Sequence, residues 1–133
     1  MVSSQQASAL RHYRASGSAA AMFDASQHQM ILMLYNGVIE SLGRVQAAMV
    51  NDDKLTRNKS VRSALDIIGY LRGILKHDDG SKLSKNLSHL YEYMVGRLSR
   101  ANVMNDVDGV REVSKLMSDI KSSWETIPEN KRY

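Results

Sequence analysis

Cysteine is absent from the 133-residue sequence, and proline occurs once, at Pro128. Without cysteine the chain can form neither a disulfide nor a thiolate metal site, which is typical of a reducing cytoplasm. With a single proline, almost every segment is free to be helical. No apolar run approaches the roughly 18 residues needed to cross a bilayer, and no basic segment followed by a leucine-rich one opens the chain. We therefore expect a cytoplasmic protein without membrane insertion or a cleaved signal peptide.

Residue patterns that carry catalysis are also missing. No glutamate is followed three residues later by histidine, as a di-iron helical bundle would need. The four histidines show no His-x-x-x-His spacing, and His77-Asp78-Asp79 is more typical of a solvated loop than of a metal cluster. There is no glycine-rich phosphate loop and no nucleophile elbow. We expect no enzymatic activity, no metal and no cofactor.

The formal net charge is +4, from 18 Lys and Arg against 14 Asp and Glu. A basic balance raises nucleic acid as a partner. The charges are dispersed along the sequence, however, which is more typical of a solvated surface, so we expect no nucleic-acid binding. A basic helical regulator that binds nucleic acid is kept as an alternative, and its binding should fall steeply with salt.

Apolar residues recur at steps of three and four in four segments, which is the period of an amphipathic helix. Residues 26–29 read as a capping box, and the first helix runs from there to about Met49. The second starts near residues 56–60 and ends near Lys76, the third covers most of residues 83–102, and the fourth runs from about Asp106 to Ile127. The stripes expected in the core are Ile31, Leu34, Tyr35, Val38, Leu42, Val45 and Met49; Val61, Ala64, Leu65, Ile68, Leu71 and Leu75; Leu83, Leu87, Leu90, Met94, Leu98 and Ala101; and Val110, Val113, Met117, Ile120, Trp124 and Ile127.

Four helices of about 20 residues joined by short connections favour antiparallel neighbours. We predict an all-α protein, an antiparallel up-down-up-down four-helix bundle with a short N-terminal arm. Residues 102–106 form a polar break that can end the third helix and cap the fourth. The predicted single domain spans residues 1–133, with a mobile arm at 1–25, the bundle at 26–127 and a polar tail at 128–133.

Several apolar residues fall outside the main stripes or at their edges. They are Met30 and Met33 on the first helix, Ile67, Tyr70 and Ile74 on the second, and Tyr91 and Tyr93 on the third. One interpretation is an ordinary core made wide by central helices. The other is a groove for a partner helix, because monomers seldom leave large apolar patches exposed and methionine suits adaptable recognition. A homodimer that buries the strips against each other is a further alternative.

Glycines inside the predicted helices are a second unusual feature. Each costs up to about 1 kcal/mol relative to alanine in a helix. Either backbones approach closely at these positions or the bundle tolerates flexibility, and the sequence does not choose between the two. The glycines are Gly37, Gly43, Gly69, Gly73, Gly96 and Gly109.

Three blocks of the sequence resemble a known family, the flagellar export chaperones of the FliS type. Leu10 with Tyr13 is similar to the family's short N-terminal arm, which bears a tyrosine. The two residues are three apart, so a single helical turn would present both side chains to one groove. Residues 25–31, which read ASQHQMI, and residues 33–37, which read MLYNG, resemble the family's Ala-Ser-Pro-x-x-Leu-Ile-x-Met-Leu-Tyr-Asp-Gly opening. The most specific block is Asn86-Leu87 and Leu90-Tyr91-Glu92-Tyr93-Met94, with Arg97-Leu98, Ala101-Asn102 and Asn105-Asp106. Trp124 also stands where the family's last helix has a tryptophan.

The resemblance covers about residues 10–127, with two departures from the family pattern. Gln27 replaces a proline at the first helical position, which weakens the helix start but leaves Ser26 as its cap. Gly80-Ser81 replaces a Gly-Gly-Glu-like turn. Both departures concern loop geometry and leave the expected fold unchanged.

The family resemblance implies a function as well as a fold. It implies a chaperone that binds the C-terminal segment of flagellin, prevents premature polymerisation and delivers flagellin to the flagellar type III export gate. The implied partners are flagellin and an export gate component, and other flagellar regulatory proteins are left open as further partners. Together with the apolar strips, it gives the candidate flagellin-binding residues Leu10, Tyr13, Met30, Met33, Ile67, Tyr70, Ile74, Tyr91 and Tyr93.

Overall fold

Four α-helices make up the part of the chain that the computed structural model describes, residues 26–75 and 80–126. Helix α1 is Gln27–Val50, α2 is Lys54–Ile74, α3 is Lys82–Met104 and α4 is Val107–Thr126. The prediction of an all-α protein is confirmed. The predicted arm, residues 76–79, Ile127 and the C-terminal tail lie outside the described residues, as do the candidate residues Leu10 and Tyr13.

Side-chain caps fix where the first three helices begin. The predicted capping box is present: the Gln29 amide donates to Ser26 Oγ at 3.2 Å, and the Ser26 amide donates to Gln29 Oε1 at 3.3 Å. Helix α2 begins at Lys54, slightly earlier than predicted, because the Asp53 carboxylate accepts from the Thr56 amide at 3.1 Å. Hydrogen bonds from the Thr56 side chain first, and then from the Thr56 amide, lower the pKa of Asp53. Ser81 caps α3 in the same way.

The polar break predicted at residues 102–106 is confirmed only at its last two residues, because α3 continues to Met104. Asn105 adopts the left-handed conformation, with φ of 51°, and its amide closes the last turn of α3. Asn tolerates this conformation better than most residues with a side chain. The Asp106 carboxylate then accepts from the Gly109 amide at 3.2 Å, so it caps the start of α4.

Contacts between helices give the topology. Helix α1 packs against α2 and α4, and α3 packs against the same two helices. Arg57, early in α2, bonds Asn105 at the end of α3, whereas Arg72, late in α2, bonds Glu92 earlier in α3. Likewise Trp124, near the end of α4, bonds His28 at the start of α1. This order of contacts indicates an up-down-up-down bundle with antiparallel neighbours.

The hydrophobic core runs the length of the bundle and contains most of the predicted stripes. Four of the stripe predictions are wrong, however. On α3, Leu83 is 38% exposed and Leu90 is only half-buried, and on α2, Leu65 and Leu75 are also half-buried. The opposite error concerns Ile67 and Tyr91, which are 1% and 2% exposed and belong to the core. The buried apolar side chains are Ile31, Leu34, Tyr35, Val38, Leu42, Val45, Met49, Val61, Ala64, Ile67, Ile68, Leu71, Leu87, Tyr91, Met94, Leu98, Ala101, Val110, Val113, Met117, Ile120 and Trp124.

Gly109 lies where α3 and α4 approach each other closely. At this position, therefore, the glycine inside a helix is explained by close packing rather than by flexibility. A Cβ atom added there would lie 2.9 Å from the Ala101 Cβ and 2.6 Å from Arg97 Nη1. The methyl group of Ala101 cannot move without shifting its helix. Gly43, by contrast, has open space where a Cβ would be.

Gly109→Ala is therefore expected to lower the free energy of unfolding by about 1–3 kcal/mol, because overpacking outweighs the gain in helix propensity. Gly43→Ala is the matched control and should raise stability by about 0.5–1 kcal/mol. Urea unfolding of both variants measures the two effects. A stability gain for Gly109→Ala equal to that of Gly43→Ala would contradict the close approach.

Candidate functional site

An apolar groove of about 300 Å³ lies between α3 and α4. The side chains Leu83, Leu87 and Leu90 of α3 form one wall, and Leu116, Ile120 and Trp124 of α4 form the other. Tyr35 of α1 contributes from below, while Asn86, Asp119 and Ser123 supply the polar part of the lining. A concave apolar surface with a polar margin is suited to the apolar face of an amphipathic helix.

Trp124 closes one end of this groove, and both its ring and its Nε1–H contact α1. Its ring stacks on His28 with ring centroids 5.5 Å apart, and it meets Tyr35 edge-on at 6.3 Å. Its Nε1–H donates to the His28 carbonyl at 3.2 Å. The indole, 2% exposed, therefore ties the end of α4 to the start of α1 and fixes this wall of the groove.

Beneath the groove, Tyr35 and Tyr91 share a buried hydrogen bond between their hydroxyl oxygens, 2.8 Å apart. A buried hydroxyl without a partner would cost about 1–3 kcal/mol, so the pair allows two tyrosines to occupy the core. Tyr91 was predicted to contact a partner from the edge of its stripe. The structure places it as a support below the groove instead.

Sequence reasoning missed this groove because it assigned its leucines to the core. The available signal was the width of the apolar arc on α3 and α4: Leu116 lies outside the predicted stripe of α4, and Leu83 and Leu90 are not needed to fill the interior. The groove exists only between two helices, so no single periodic pattern reveals it.

A second apolar strip lies on the seam between α1 and α2 and includes five of the predicted residues. On α1, His28 and Tyr35 contact α4. Met30 and Met33 are each two residues away, about 200° round the helix and on the side away from α4, so we infer that they lie on the α2 side of α1.

On α2, Arg72 contacts α3. Tyr70 and Ile74, each two residues from Arg72, therefore point towards α1 by the same geometry. Met30, Met33, Tyr70 and Ile74 are half-buried, so part of each side chain faces outwards. Ile67 lies on the same seam but is fully buried, and a partner cannot reach it without opening the bundle.

Tyr93 is 45% exposed and stands apart from both apolar surfaces in a polar network between α3 and α4. Its hydroxyl donates to the Glu112 carboxylate. Arg97 bridges the same carboxylate at 3.0 Å and Asp106 at 3.2 Å. These contacts lower the pKa of Glu112, chiefly through the hydrogen bond from Tyr93 and next through Arg97, and they raise the pKa of Tyr93. The pKa of Asp106 is lowered first by the Gly109 amide and then by Arg97.

The two lowered carboxylate pKa values predict how stability changes in acid. A group whose pKa is lower in the folded state stabilises the fold above its unfolded pKa, and the contribution is lost as the pH falls through the folded value. The thermal unfolding midpoint, measured at intervals from about pH 6 to pH 2, should therefore decrease as the pH falls through the range in which carboxylates titrate. Glu112→Gln should show a smaller fall, and Glu40→Gln, at an exposed carboxylate of α1 outside the network, is the control. An identical acid dependence in Glu112→Gln and the unmodified protein would contradict the network's role.

Among residues 26–75 and 80–126, no cluster of three His, Asp or Glu side chains could hold a metal ion. In the same ranges no helix is both long and apolar enough to span a bilayer. The described residues define a class of protein: a small helical bundle whose distinctive features are apolar surfaces suited to the apolar face of a helix.

Comparison with known proteins agrees with this class and makes it specific. Residues 9–131 match the family model described as flagellar protein FliS. The chain is 36% identical over 119 residues to the flagellar secretion chaperone FliSB of Pseudomonas aeruginosa, covering 90% of this chain and 94% of that one. It is 34% identical over 122 residues to the flagellar secretion chaperone FliS of Salmonella typhimurium, covering 91% and 90%. The chain belongs to the FliS family of flagellar secretion chaperones, which is a family of chaperones and not of enzymes.

Proposed function

We propose that this protein is a cytoplasmic chaperone for flagellin. It binds the C-terminal segment of flagellin, prevents premature polymerisation and delivers flagellin to the flagellar type III export apparatus. The observation that carries the proposal is membership of the flagellar secretion chaperone family over residues 9–131. Flagellin and a component of the export gate are the proposed partners.

The apolar surfaces support this proposal physically. A client segment that is unfolded when free must find enough apolar surface to offset the cost of ordering it, which is several kcal/mol. The groove between α3 and α4 and the strip between α1 and α2 lie on different sides of the bundle, so a client in contact with both would run around it. Covering the client's apolar face in this way keeps it from pairing with other flagellin molecules.

Among the predicted contact residues, we propose that the half-buried Met30, Met33, Tyr70 and Ile74 contact the client directly. The exposed ring of Tyr93 is a further contact at the edge of α3. Ile67 and Tyr91 act indirectly, because they are buried under the two surfaces. Leu10 and Tyr13 in the N-terminal segment are proposed to cover part of the site in the free protein and to be displaced by the client.

Binding of intact and truncated flagellin tests the proposal. Mixing the chaperone with cytoplasmic flagellin should give a one-to-one complex in size-exclusion chromatography with light scattering, together with an increase in helical circular dichroism. Flagellin without its C-terminal segment should elute separately. Equally tight binding of the truncated flagellin would contradict the assigned segment. Light scattering of the chaperone alone also tests the homodimer alternative, which requires a dimer at micromolar concentrations.

A further inference from the structure

The net charge conceals a strong division between the two halves of the bundle. Residues 54–104, which contain α2 and α3, hold ten Lys and Arg against four Asp and Glu, a net charge of +6. Residues 26–53 and 105–126, which contain α1 and α4, hold four against eight, a net charge of −4. Charges that look dispersed in the sequence are therefore segregated in the fold, because α2 and α3 are neighbours.

The basic helices pack against each other along a seam that opens into a cavity at one end, and we call this surface the α2/α3 groove. Asn58 and Asn102 bond across its first end at 3.4 Å. Leu65 lies seven residues after Asn58 on α2, and Val95 lies seven residues before Asn102 on α3, so each is on the same face as its asparagine. Both side chains are half-buried and packed on the core. The centre of the groove is therefore apolar. With α2 at 21 residues, the groove is about 30 Å long.

The second end of the groove opens into a cavity of about 290 Å³. Leu75, Ser84 and Ser88 line it, and Arg72 and Lys85 add two cationic side chains. Ser84 is 4% exposed, and its hydroxyl has no hydrogen-bond partner within the described ranges. A buried hydroxyl in this position can donate to an incoming acceptor. The cavity therefore combines an unused donor with two cations.

The cations of this surface are available to a partner. Lys85 and Arg62 form no ion pair with any residue in the described part of the chain, and both are exposed. Within the described ranges, Arg72 forms an ion pair only with Glu92, at 3.4 Å, and the two side chains are 44% and 68% exposed. Exposed pairs of this kind contribute about 0–1 kcal/mol, so a better-placed carboxylate can replace Glu92.

We propose that the α2/α3 groove is a docking site for an acidic amphipathic helix of a partner protein, distinct from the flagellin-binding surfaces. The apolar face of that helix packs on Leu65, Val95 and Leu75. Its carboxylates lie against Arg62, Arg72 and Lys85, and one carboxylate accepts a hydrogen bond from the Ser84 hydroxyl. The proposal rests on the charge and shape of this groove and is independent of the proposed function.

The features of the groove favour an acidic helix over nucleic acid. A nucleic acid presents phosphates at regular spacing and requires a continuous basic surface, with aromatic faces for unpaired bases. The α2/α3 groove instead has an apolar floor, and Glu92 stands on its margin among the cations. An amphipathic helix with acidic flanks matches both the floor and the cationic side chains.

A designed peptide tests the proposal without any flagellin. The probe is a fluorescein-labelled peptide of about 20 residues, long enough for the groove, with leucines in heptad positions and glutamates beside them. The full chain is titrated into the labelled peptide at low and at high salt, and binding is measured as the increase in fluorescence anisotropy. Two comparison probes, a peptide with lysine in place of each glutamate and a DNA duplex, are titrated in the same way. The test variant is Arg62→Glu with Lys85→Glu. The control variant, Arg111→Glu with Lys115→Glu, makes the same charge change on α4, where both residues are exposed.

We expect the acidic peptide to bind, with affinity that falls as salt screens the ion pairs. The test variant should lose about tenfold or more in affinity, since attraction becomes repulsion at two positions, and the control variant should lose less than about threefold. Unchanged circular dichroism in both variants verifies folding. Equal losses in the two variants, equal binding of the lysine peptide, or tighter binding of DNA than of the acidic peptide would each overturn the proposal.

Discussion

Trp124→Ala is expected to lower the free energy of unfolding by about 3–5 kcal/mol, the usual range for removing a large buried aromatic side chain. Small domains are stable by about 5–15 kcal/mol, so this variant should be close to unfolding at physiological temperature. Thermal and urea unfolding followed by circular dichroism measure the loss. The expected size follows from burial, two ring contacts and a hydrogen bond that all meet at one side chain.

Trp124→Phe separates the ring from its hydrogen bond. Phenylalanine keeps an aromatic face against Tyr35 and His28 but leaves the His28 carbonyl without the indole donor. The expected loss is about 1–2 kcal/mol, from one hydrogen bond and some packing. If Trp124→Phe were as damaging as Trp124→Ala, the ring contacts would contribute little, and the account of this end of the groove would be wrong.

The bounds of the helices follow from local chemistry, which explains why the sequence predicts them well. Ser26 and Gln29 cap each other across three residues, and Asn105 and Asp106 end one helix and start the next. Each signal lies within a few neighbouring residues. The one clear shift, at the start of α2, arises because the carboxylate of Asp53 reaches the Thr56 amide and extends the helix backwards.

The candidate site depends on contacts between helices, and this is where sequence reasoning fails. Ile67 lies off the apolar stripe of its own helix, but α1 packs over it and buries it. Leu83 lies on the stripe of α3, yet it remains 38% exposed because it lines the groove beside α4. A periodic pattern gives the face of a residue on one helix but not the distance to the next helix.

The polar network around Arg97 illustrates the same limit at close range. Helix periodicity drew attention to Tyr93 as a residue off the apolar stripe of the third helix, and its ring is indeed exposed. Its hydroxyl, however, is bonded to Glu112, nineteen residues away in the sequence. Arg97 lies under the same carboxylate and against Gly109, so the glycine, the ion pairs and the tyrosine form one feature that only the folded chain brings together.

Ile67→Ala and Ile74→Ala should differ sharply, although they are the same substitution one heptad apart on α2. Ile67 is 1% exposed, and its truncation is expected to cost about 2–5 kcal/mol of stability. Ile74 is half-buried near the end of the helix, so its loss should cost less than about 1.5 kcal/mol. Urea unfolding measures both values.

Binding should show the reverse order, because only Ile74 presents surface to a client. We expect Ile74→Ala, and Tyr70→Ala with it, to weaken flagellin binding by about tenfold, equivalent to about 1.4 kcal/mol. Ile67→Ala, measured where the variant is fully folded, should bind within about threefold of the unmodified chaperone. Titration calorimetry at low temperature makes the comparison. Strong destabilisation by Ile74→Ala with unchanged affinity would place Ile74 in the core and move the client off the seam between α1 and α2, leaving the groove between α3 and α4 as its main surface.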